Sequence, residues 1–571
     1  MNSTQLLQHF ERLSEAPDAI KHLRRFILDL AVRGKLVEQD PNDEPAAELL
    51  KGIQAEKMRL ATDGKLKKSV LTLYNDGIQP PFDLPATWDW VCLGDVAQYG
   101  IADKVKSNRE IEPETWVLDL EDIEKDTSRL IDHVLSSARP FRSTKTVFKL
   151  GDVLFGKLRP YLNKVVVADI DGVCSTEIVP IRGYCNMVPE YIKLVFMSPL
   201  TMRRVDRLMY GMKMPRLGTN DAISLEFPLA PFADQRRIVA KVDELMALCD
   251  QLEAAKNKRE QSRDRLVAAS LHSLNPPADD EANTPEALRE QARFIFNNLP
   301  RLTTRPAHIK QLRQTILNLA VRGKLVAQDP NDEPAAELLK RIQAEKSQLK
   351  SAKKEKSGTS LSDDSFPFPV PECWRWSQLA EIGLISPRNS SDGDTLASFV
   401  PMTLISAEYG IPHTHEVRSW NEFKTGYTHF AEGDVGLAKI TPCFENGKST
   451  VFRGLTAGFG AGTTELHIVR PLLIDADYIL VFLKSPFFIE SGIPLMTGTA
   501  GQKRVSSDYF AYSPFPLPPL AEQHRIVAKV DELMALCDQL EAQLTTTQTD
   551  SRRLLEAVLH EALAPVQEEA A

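Results

Sequence analysis

The sequence predicts an α+β protein: two globules of mixed helix and strand held by two long helices, with the whole plan written twice. Three observations predict it. An eighteen-residue stretch, Arg237 to Ala254, returns unchanged as Arg525 to Ala542. Ahead of each copy lies a second matching pair: Leu30 to Val37 equals Leu319 to Val326, and Gln39 to Lys51 equals Gln328 to Lys340. Between the matching parts lie short β-branched runs punctuated by Gly and Pro, a pattern of strands and turns. The offsets are 289 and 288 residues, so one unit of about 290 residues occurs twice.

Each unit opens with a helix, expected over His22 to Val37 and over Gln311 to Val326. An Asp-Pro-Asn-Asp-Glu-Pro turn follows. A second helix then starts with Pro45 in its first turn, where a missing N–H costs nothing and acids favour the helix dipole. Charged tethers, Lys65 to Lys68 and Lys350 to Lys356, read as solvated linkers. The globules, from about Pro80 to Pro231 and from about Phe366 to Pro519, have diverged but share punctuation. Pro81-Phe82 with Trp88 and Trp90 matches Pro367-Phe368 with Trp374 and Trp376. Gly151-Asp152-Val153 matches Gly433-Asp434-Val435, and Thr176-Glu177 matches Thr464-Glu465. Lys164 to Ala168, Ile178 to Ile181 and Leu466 to Val469 read as strands; Pro189 to Ser198 and Asp475 to Ser485 read as helices.

In the repeated stretch, Ile238, Val242, Leu245, Cys249 and Leu252 step by four and three, a heptad seam matched by Ile526, Val530, Leu533, Cys537 and Leu540. The second copy extends it through Leu544, Leu554 and Val558. A helix from about Asp234 to Leu271 would be a rod of roughly 55 Å. Two identical rods suggest a pair lying together and holding two objects apart. Asn275 to Pro306, rich in Pro, Asp, Glu and Asn, reads as a linker with a short helix at Pro285 to Asn297.

Composition narrows the class. The chain has 571 residues, 43% of them hydrophobic and 26% charged, which suits several soluble globular domains. No apolar run reaches the roughly 18 residues that span a bilayer, and Met1 to Glu15 lacks a signal-peptide profile. The seven cysteines form no C-x-x-C pair and no metal-ligand spacing, so free thiols in a reducing cytosol are expected. A net charge of −9 argues mildly against nucleic acid, but the distribution of charge matters more.

Identity in some segments beside divergence in others divides the labour. The rods and the Val-Arg-Gly-Lys-Leu-Val helices perform one task twice, while the globules perform two related tasks. A pseudo-twofold scaffold binding two copies of one partner, with two readers, fits this division; a recent duplication with no division of function is the plainer alternative. Leu-Ala-Val-Arg-Gly-Lys-Leu-Val followed by Asp-Glu-Pro-Ala-Ala-Glu-Leu-Leu resembles the specificity subunits of type I restriction–modification systems. So does Pro519 to Met534, with its first-copy equivalent Pro231 to Met246. Gly151 to Tyr161 is similar to a stretch recurrent in that family's target-recognition domains.

The resemblance runs in order through both halves. It implies two target-recognition domains, each reading half of a split DNA site, separated by conserved helices forming an antiparallel coiled coil. It also implies two modification subunits that methylate adenine with S-adenosylmethionine, and two restriction subunits that translocate and cut DNA with ATP and Mg. The expected divisions are a helical region 1–79, recognition domain 80–231, coiled-coil helix 232–273, linker 274–310, repeated helical region 311–365, recognition domain 366–519 and coiled-coil helix 520–571.

The chain itself reads as catalytically empty, with no metal site. Asn275-Pro276-Pro277-Ala278 lacks the stacking aromatic of an adenine methyltransferase motif and reads as a helix stop. Gly458-Phe459-Gly460-Ala461-Gly462 imitates a cofactor loop but reads as a flexible turn, Glu422-Phe423-Lys424 is too short to mark a nuclease, and no Walker A motif occurs. Charge supports DNA reading in the first globule: acids outnumber bases twelve to four over Pro81 to Ser128, and bases outnumber acids fifteen to seven over Arg129 to Arg216. Lys157, Arg159, Tyr161, Asn163 and Lys164 surround an expected turn. Arg203, Arg204, Arg207, Lys213 and Arg216 form a second cluster, and Asn163 or Asn220 could pair with adenine.

In the second globule, with eleven bases to fifteen acids, the candidates are Lys439, Thr441, Asn446, Lys448, Gln502, Lys503 and Arg504. Arg504 occupies the slot of Arg216. Each of these side chains equally suits a solvated surface. The expected mechanism is geometric: globules enter the major groove about one helical turn, roughly 34–36 Å, apart. Two rivals stay open. A single-chain restriction–modification enzyme predicts activity of the isolated chain. A coiled-coil adaptor with protein-binding globules predicts no salt-dependent DNA affinity.

Overall fold

The computed structural model describes residues 16, 18–64, 80–100, 102–273, 298, 303–349, 366–499 and 501–563. The two charged tethers, the 275–278 tetrapeptide and the short helix expected over 285–297 lie outside these residues. The chain divides into two compact units, Met1–Lys258 with Gln548–Ala571, and Arg259–Thr547.

In the first unit, α1 (Ala19–Val32) buries Ile27, Leu28, Ala31 and Val32 along one stripe. It ends before the expected Val37 because Gly34 turns left-handed at φ 67°, and Lys35 N–H closes the end on Leu30 O at 3.0 Å. A Cβ at Gly34 would lie 2.4 Å from Pro85, so the chain beyond the cap must be glycine-thin. The next helix, α2 (Ala46–Thr62), is preceded by an Asx turn in which Asn42 N–H donates to Asp40 at 2.9 Å. Its buried Lys57 donates to Gly94 O at 3.2 Å, and burial lowers the ammonium's pKa.

Among the described residues the globule holds ten strands: β1 (Asp89–Cys92), β2 (Ala97–Tyr99), β3 (Lys104–Val105), β4 (Trp116–Leu118), β5 (Lys145–Phe148), β6 (Val153–Gly156), β7 (Val165–Val167), β8 (Gly172–Ser175), β9 (Ile178–Gly183) and β10 (Glu226–Leu229). One antiparallel sheet runs β2-β9-β6-β7, a second runs β3-β5-β8-β4 with β4 and β8 parallel, and β1 pairs with β10. Alternation along β6 shows how the first sheet is buried on both faces. Val153 and Phe155 join the core under α3 (Pro189–Met197), while Leu154 joins Trp116 and Phe148 of the second sheet. Helix α4 (Pro199–Leu208) follows α3 directly, with Ser198 capping its first turn.

The long helix α5 (Phe232–Ser273) has 42 residues, ~63 Å at helical rise. Its seam residues Ile238, Val242 and Cys249 are buried in the first unit's core beside α1 and α3, Leu245 packs against that core, and Leu252 stays 39% exposed. Arg24 of α1 ties the same face down through Asp250 at 2.5 Å and Glu253 at 2.9 Å.

The second unit repeats this plan. The end of α5 supplies Val267 and Leu271 to a core shared with α6 (Pro306–Val321). Gly323, at φ 67°, stops α6 short of the expected Val326, and a Cβ there would meet Pro371 at 2.6 Å. In α7 (Ala335–Leu349), Lys346 donates to Gly383 O at 2.9 Å, as Lys57 does to Gly94. The strands are β11 (Arg375–Gln378), β12 (Gly383–Ile385), β13 (Leu396–Val400), β14 (Glu416–Ser419), β15 (Thr428–Ala431), β16 (Val435–Ala438), β17 (Ser449–Val451), β18 (Phe459–Gly462), β19 (Leu466–Pro471) and β20 (Pro514–Leu517).

Sheet β12-β19-β16-β17 reproduces β2-β9-β6-β7. The other sheet, β14-β13-β18-β15, keeps the parallel pair but moves its fourth strand to the opposite edge. Helices α8 (Ala476–Lys484), α9 (Pro486–Gly492) and α10 (Ser507–Tyr512) precede the last long helix, α11 (Leu520–Leu563). The seam of α11 (Ile526, Val530, Leu533, Cys537) is buried in this unit's core, with Leu540 and Leu544 packed against it. Arg313 of α6 pairs with Asp538 at 2.5 Å and Glu541 at 3.0 Å. The final turns of α11 belong to the first unit, where Leu555 and Val558 cluster with Ala16 and Ala19, and Leu554 packs against them.

The glycine run expected as a flexible turn is a correction. Residues 459–462 form β18, held between β13 and β15, and a Cβ at Gly460 or Gly462 would lie 2.1 Å or 2.3 Å from backbone oxygens of β13. Glycine is required there by close backbone approach.

Each long helix starts from a buried polar joint. Trp88 Nε1 donates to Asp234 and to Gln39, both at 3.0 Å; Trp374 Nε1 donates to Glu522 at 2.9 Å, and Gln328 donates to the same carboxylate at 2.6 Å. Arg237 pairs with both Asp43 and Asp234, and Arg525 pairs with Asp332 at 2.6 Å. Gln235 and Gln523 donate to the carbonyls of Ala230 and Pro518 and accept the backbone N–H groups of Val188 and Asp475. Burial raises the Glu522 pKa, and the hydrogen bonds from Trp374 and Gln328 and the charge of Arg525 work against that rise. Glu522→Leu, which orphans two buried donors, is expected to cost roughly 2–4 kcal/mol in urea unfolding followed by tryptophan fluorescence. Glu522→Gln, which keeps an acceptor, should cost less. Equal midpoints for E522L and the parent would remove the joint from the account of stability.

Candidate nucleic-acid interface

The candidates in the first globule sit where β6 runs out of the sheet. Lys157 N–H donates to Glu177 O at 2.9 Å, and Arg159 N–H donates to Pro215 O at 2.7 Å. Tyr210 and Arg216 then exchange backbone bonds, closing a loop from 210 to 216. The Arg216 guanidinium forks onto Glu177, with Nε at 3.0 Å and Nη2 at 3.1 Å. This carboxylate raises the Arg216 pKa further.

The second globule builds the same frame from different residues. Lys439 N–H donates to Glu465 O at 2.9 Å, Thr441 N–H donates to Lys503 O at 2.9 Å, and Thr497 pairs with Arg504. Arg504 forks onto Glu465 at 2.9 Å and 2.8 Å, which holds that carboxyl below its ordinary range. A bidentate guanidinium–carboxylate pair fixes orientation as well as distance. Thr-Glu, shared punctuation in the sequence, is therefore the acceptor of a clamp whose donor lies 39 residues away in both copies. Gly-Asp-Val has a similar explanation: buried Asp152 and Asp434 receive the forks of Arg182 and Arg470.

The sequence-predicted residues separate into two groups. Arg159 and Lys213 are exposed, Tyr161 is 46% exposed, and Lys157 is half-buried beside the clamp. Gln502 and Lys503 are exposed and Lys439 is half-buried, in the matching places. Asn163 and Lys164 turn inward: Asn163 Nδ2 donates to Met197 O at 3.2 Å, and Lys164 Nζ donates to Leu120 O at 2.6 Å. Thr441 Oγ1 accepts from Lys503 N–H at 3.1 Å, and Lys448 Nζ donates to Met402 O at 3.2 Å. Arg204 pairs with Glu226, whereas Arg203, Arg207, Asn220 and Asn446 are exposed.

Three residues escaped the sequence reading. Tyr210, Met212 and Met214 are 59%, 103% and 55% exposed around Lys213, an apolar tip on a cationic loop. Their signal was the run Met209-Tyr210-Gly211-Met212-Lys213-Met214-Pro215, whose Gly211 adopts φ 101°. The matching loop in the second globule, 497 to 504, is made of Thr, Gly, Ala, Gln, Lys and Arg.

Nearby, a cleft of 880 Å³ lies between α1, α3, α4 and α5 in the first unit. Its lining carries eight Lys and Arg against seven Asp and Glu, too balanced for a phosphate site. Among the described residues no group of three His, Cys, Asp or Glu is placed to hold a metal ion, and no single helix is long and apolar enough to cross a membrane. All seven cysteines are free thiols. Glu422 caps the short helix after Ser419, donating no metal-site geometry.

The specificity subunits of the type I restriction enzymes EcoAI and EcoEI, both of Escherichia coli, are each 51% identical over 257 residues. Those residues are 44% of this chain and 44% and 43% of the relatives, so the chain spans less than half the length of the relatives it matches. This chain is a homologue of type I restriction enzyme specificity subunits. The EcoDI specificity subunit, also of Escherichia coli, is 27% identical over 251 residues, 43% of this chain and 51% of the relative. No family model matches.

Among solved structures, the HsdS subunit from Thermoanaerobacter tengcongensis aligns over 85% of this chain and 98% of its own, at 22% identity and a TM-score of 0.41. A chain from a structure of type I R-M complex assembly and conformational transition aligns over 84% and 99%, at 21% identity and a TM-score of 0.49. At those scores the alignments constrain neither the fold nor the interface of this homologue, which rest on its own geometry.

If the fork positions the loop, conservative changes should loosen it without unfolding the globule. Glu465→Gln and Arg504→Lys are expected to speed tryptic cleavage after Lys503 several-fold while leaving the thermal midpoint in place; Glu177→Gln should do the same at Lys213. Unchanged cleavage rates in all three variants would show that the loop is held by its backbone alone.

Proposed function

We propose that this chain is the DNA-specificity subunit of a type I restriction–modification complex. It reads a bipartite, asymmetric site with one globule per half-site, and it is not catalytic by itself. The observation that carries this reading is the pair of clamped loops: one frame, built twice on matching joints, presenting different side chains. A reader of two different half-sites needs that combination, and homology to specificity subunits supports the same assignment.

In the first globule, Lys157, Arg159 and Lys213 supply charge for phosphates and base edges, and Tyr161 and the apolar loop tip supply stacking or thymine-methyl contact. In the second, Lys439, Gln502 and Lys503 take those roles with hydrogen-bonding groups in place of the methionines. Arg216 and Arg504 act through the loops they hold, and Thr441, Asn163 and Lys164 act by shaping them. The long helices set the spacer between half-sites. Two adenine-N6 modification subunits and two restriction subunits are the partners; S-adenosylmethionine, ATP and Mg are bound by them, and the complex works in the cytoplasm.

Co-expression with the cognate modification subunit in a methylation-free host, followed by genome-wide mapping of N6-methyladenine, tests the assignment. The expected result is one split motif with a fixed spacer, lost when either chain is omitted. Methylation by this chain alone would overturn the non-catalytic assignment. Replacing residues 366–519 with another relative's globule should change one half of the motif only, and a change in both halves would overturn the division into two readers.

A further inference from the structure

The two copies of Leu-x-Leu-Ala-Val-Arg-Gly-Lys-Leu-Val differ at one residue, Asp29 in α1 against Asn318 in α6. That single change alters the fate of a buried cation. In the first unit, Arg33 Nε lies 3.4 Å from Asp29 Oδ1, one turn back along the chain, and Asp29 is only 4% exposed. In the second unit, the residue one turn back from Arg322 is an amide, Asn318. Among the described residues Arg322 has no ion pair; its Nε and Asn318 Oδ1 are buried without a hydrogen-bond partner, as are Arg33 Nε and Asp29 Oδ1, so the copies differ in the carboxylate beside the guanidinium and not in hydrogen bonding. Burial lowers the Arg322 pKa, and the nearby Lys324 ammonium is disfavoured by burial and then by Arg322. A half-buried guanidinium beside a like charge, with no counter-ion of its own, is a costly arrangement.

Arg322 also lines a cavity of 390 Å³ in the second unit. The rest of the lining is Gln311, Gln314, Thr315 and Asn318 from one face of α6, Ala268 and Leu271 from the end of α5, and Pro486. No acid lines it. The amides of Gln311, Gln314 and Asn318 and the hydroxyl of Thr315 line the same space as Arg322. The guanidinium carbon lies 4.9 Å from the centroid of the Phe368 ring, which covers part of the group. A guanidinium matches a planar carboxylate, which it can grip through two parallel N–H bonds.

We propose that this cavity is a carboxylate-binding site, in which Arg322 takes from outside the chain the group that Asp29 gives Arg33 within it. The ligand is a carboxylate group, either the side chain of an Asp or Glu on a protein partner or a small free carboxylate. The site does not depend on the DNA-reading assignment, because neither globule's loop contributes to it.

Titration of the full chain with ¹³C-labelled acetate at constant ionic strength, read by line broadening, tests the site. The parent chain should bind acetate saturably. Asn318→Asp, which rebuilds the first unit's pair, should bind at least tenfold more weakly and unfold at a higher temperature in chloride. Arg322→Lys, which keeps the charge and loses the fork, should also bind at least tenfold more weakly. Competition by N-acetylglutamate α-amide would identify a side chain of a partner as an admissible source; competition by free acids alone would confine the site to small anions. Absence of binding by the parent, binding retained in N318D, or phosphate binding as tightly as acetate would each overturn the proposal.

Discussion

The buried indole–carboxylate contact at the foot of each long helix is the constraint on which the rest of the structure depends. Trp88 and Trp374 lead into the globules, Asp234 and Glu522 begin the helices, and Gln39 and Gln328 arrive from the N-terminal helices. Three remote segments therefore meet at each joint, through the indole in the first unit and at the carboxylate in the second, around one acidic group taken out of water. A buried carboxylate is tolerable only when its donors are in place, so the joint forms completely or not at all. That requirement explains why the segments flanking the globules repeat so closely while the globules do not.

Above the joint, the two globules keep what aims the loop and change what the loop carries. The sheet that contains β6 or β16 is buried on both faces, which fixes its register and leaves little freedom to vary. The outer sheet is covered less completely, and there the fourth strand has moved from one edge to the other. Both globules then use a carboxylate one position before a sheet strand, Glu177 before β9 and Glu465 before β19, to hold an arginine fork at the loop's return. The apolar tip of the first loop and the polar tip of the second rest on the same hinge, so the chemistry at the tip can change without disturbing the frame.

Much of this was legible in the sequence. The repeat, the long helices, the strands at 165–167 and 178–183 and the Gly-Asp-Val anchor all follow from local periodicity or punctuation. What was missed required a partner distant in the chain. The ends of α1 and α6 were placed five residues late because hydrophobic spacing continues through Leu36-Val37, whereas the chain turns at Gly34 against Pro85. The glycines at 460 and 462 looked like a turn because composition does not reveal a parallel neighbour pressed against them. Arg216 and Arg504 looked like exposed readers because nothing near them in the chain announces Glu177 or Glu465. Tyr210, Met212 and Met214 went unnoticed because apolar residues are counted as core until a structure leaves them in solvent.

The identical eighteen residues acquire a local explanation from the packing. Ile238, Val242 and Cys249, and likewise Ile526, Val530 and Cys537, are buried by the N-terminal helix and globule of their own unit. Arg237 and Arg525 hold the Asp-Pro-Asn-Asp turn, and the acids at 250 and 253, or 538 and 541, hold α1 or α6. The apolar stripe and these charged positions thus meet surfaces that are themselves repeated, whereas Ala240, Asp243, Glu244, Ala247, Leu248 and Gln251, with their counterparts in the second copy, are exposed. Neither helix ends in the unit where it begins: residues from Arg259 onward complete the core around α6, and residues from Gln548 onward belong with α1. The repeated stretch is conserved between copies by local packing, and the helix ends beyond it are free to differ because each meets a partner of its own.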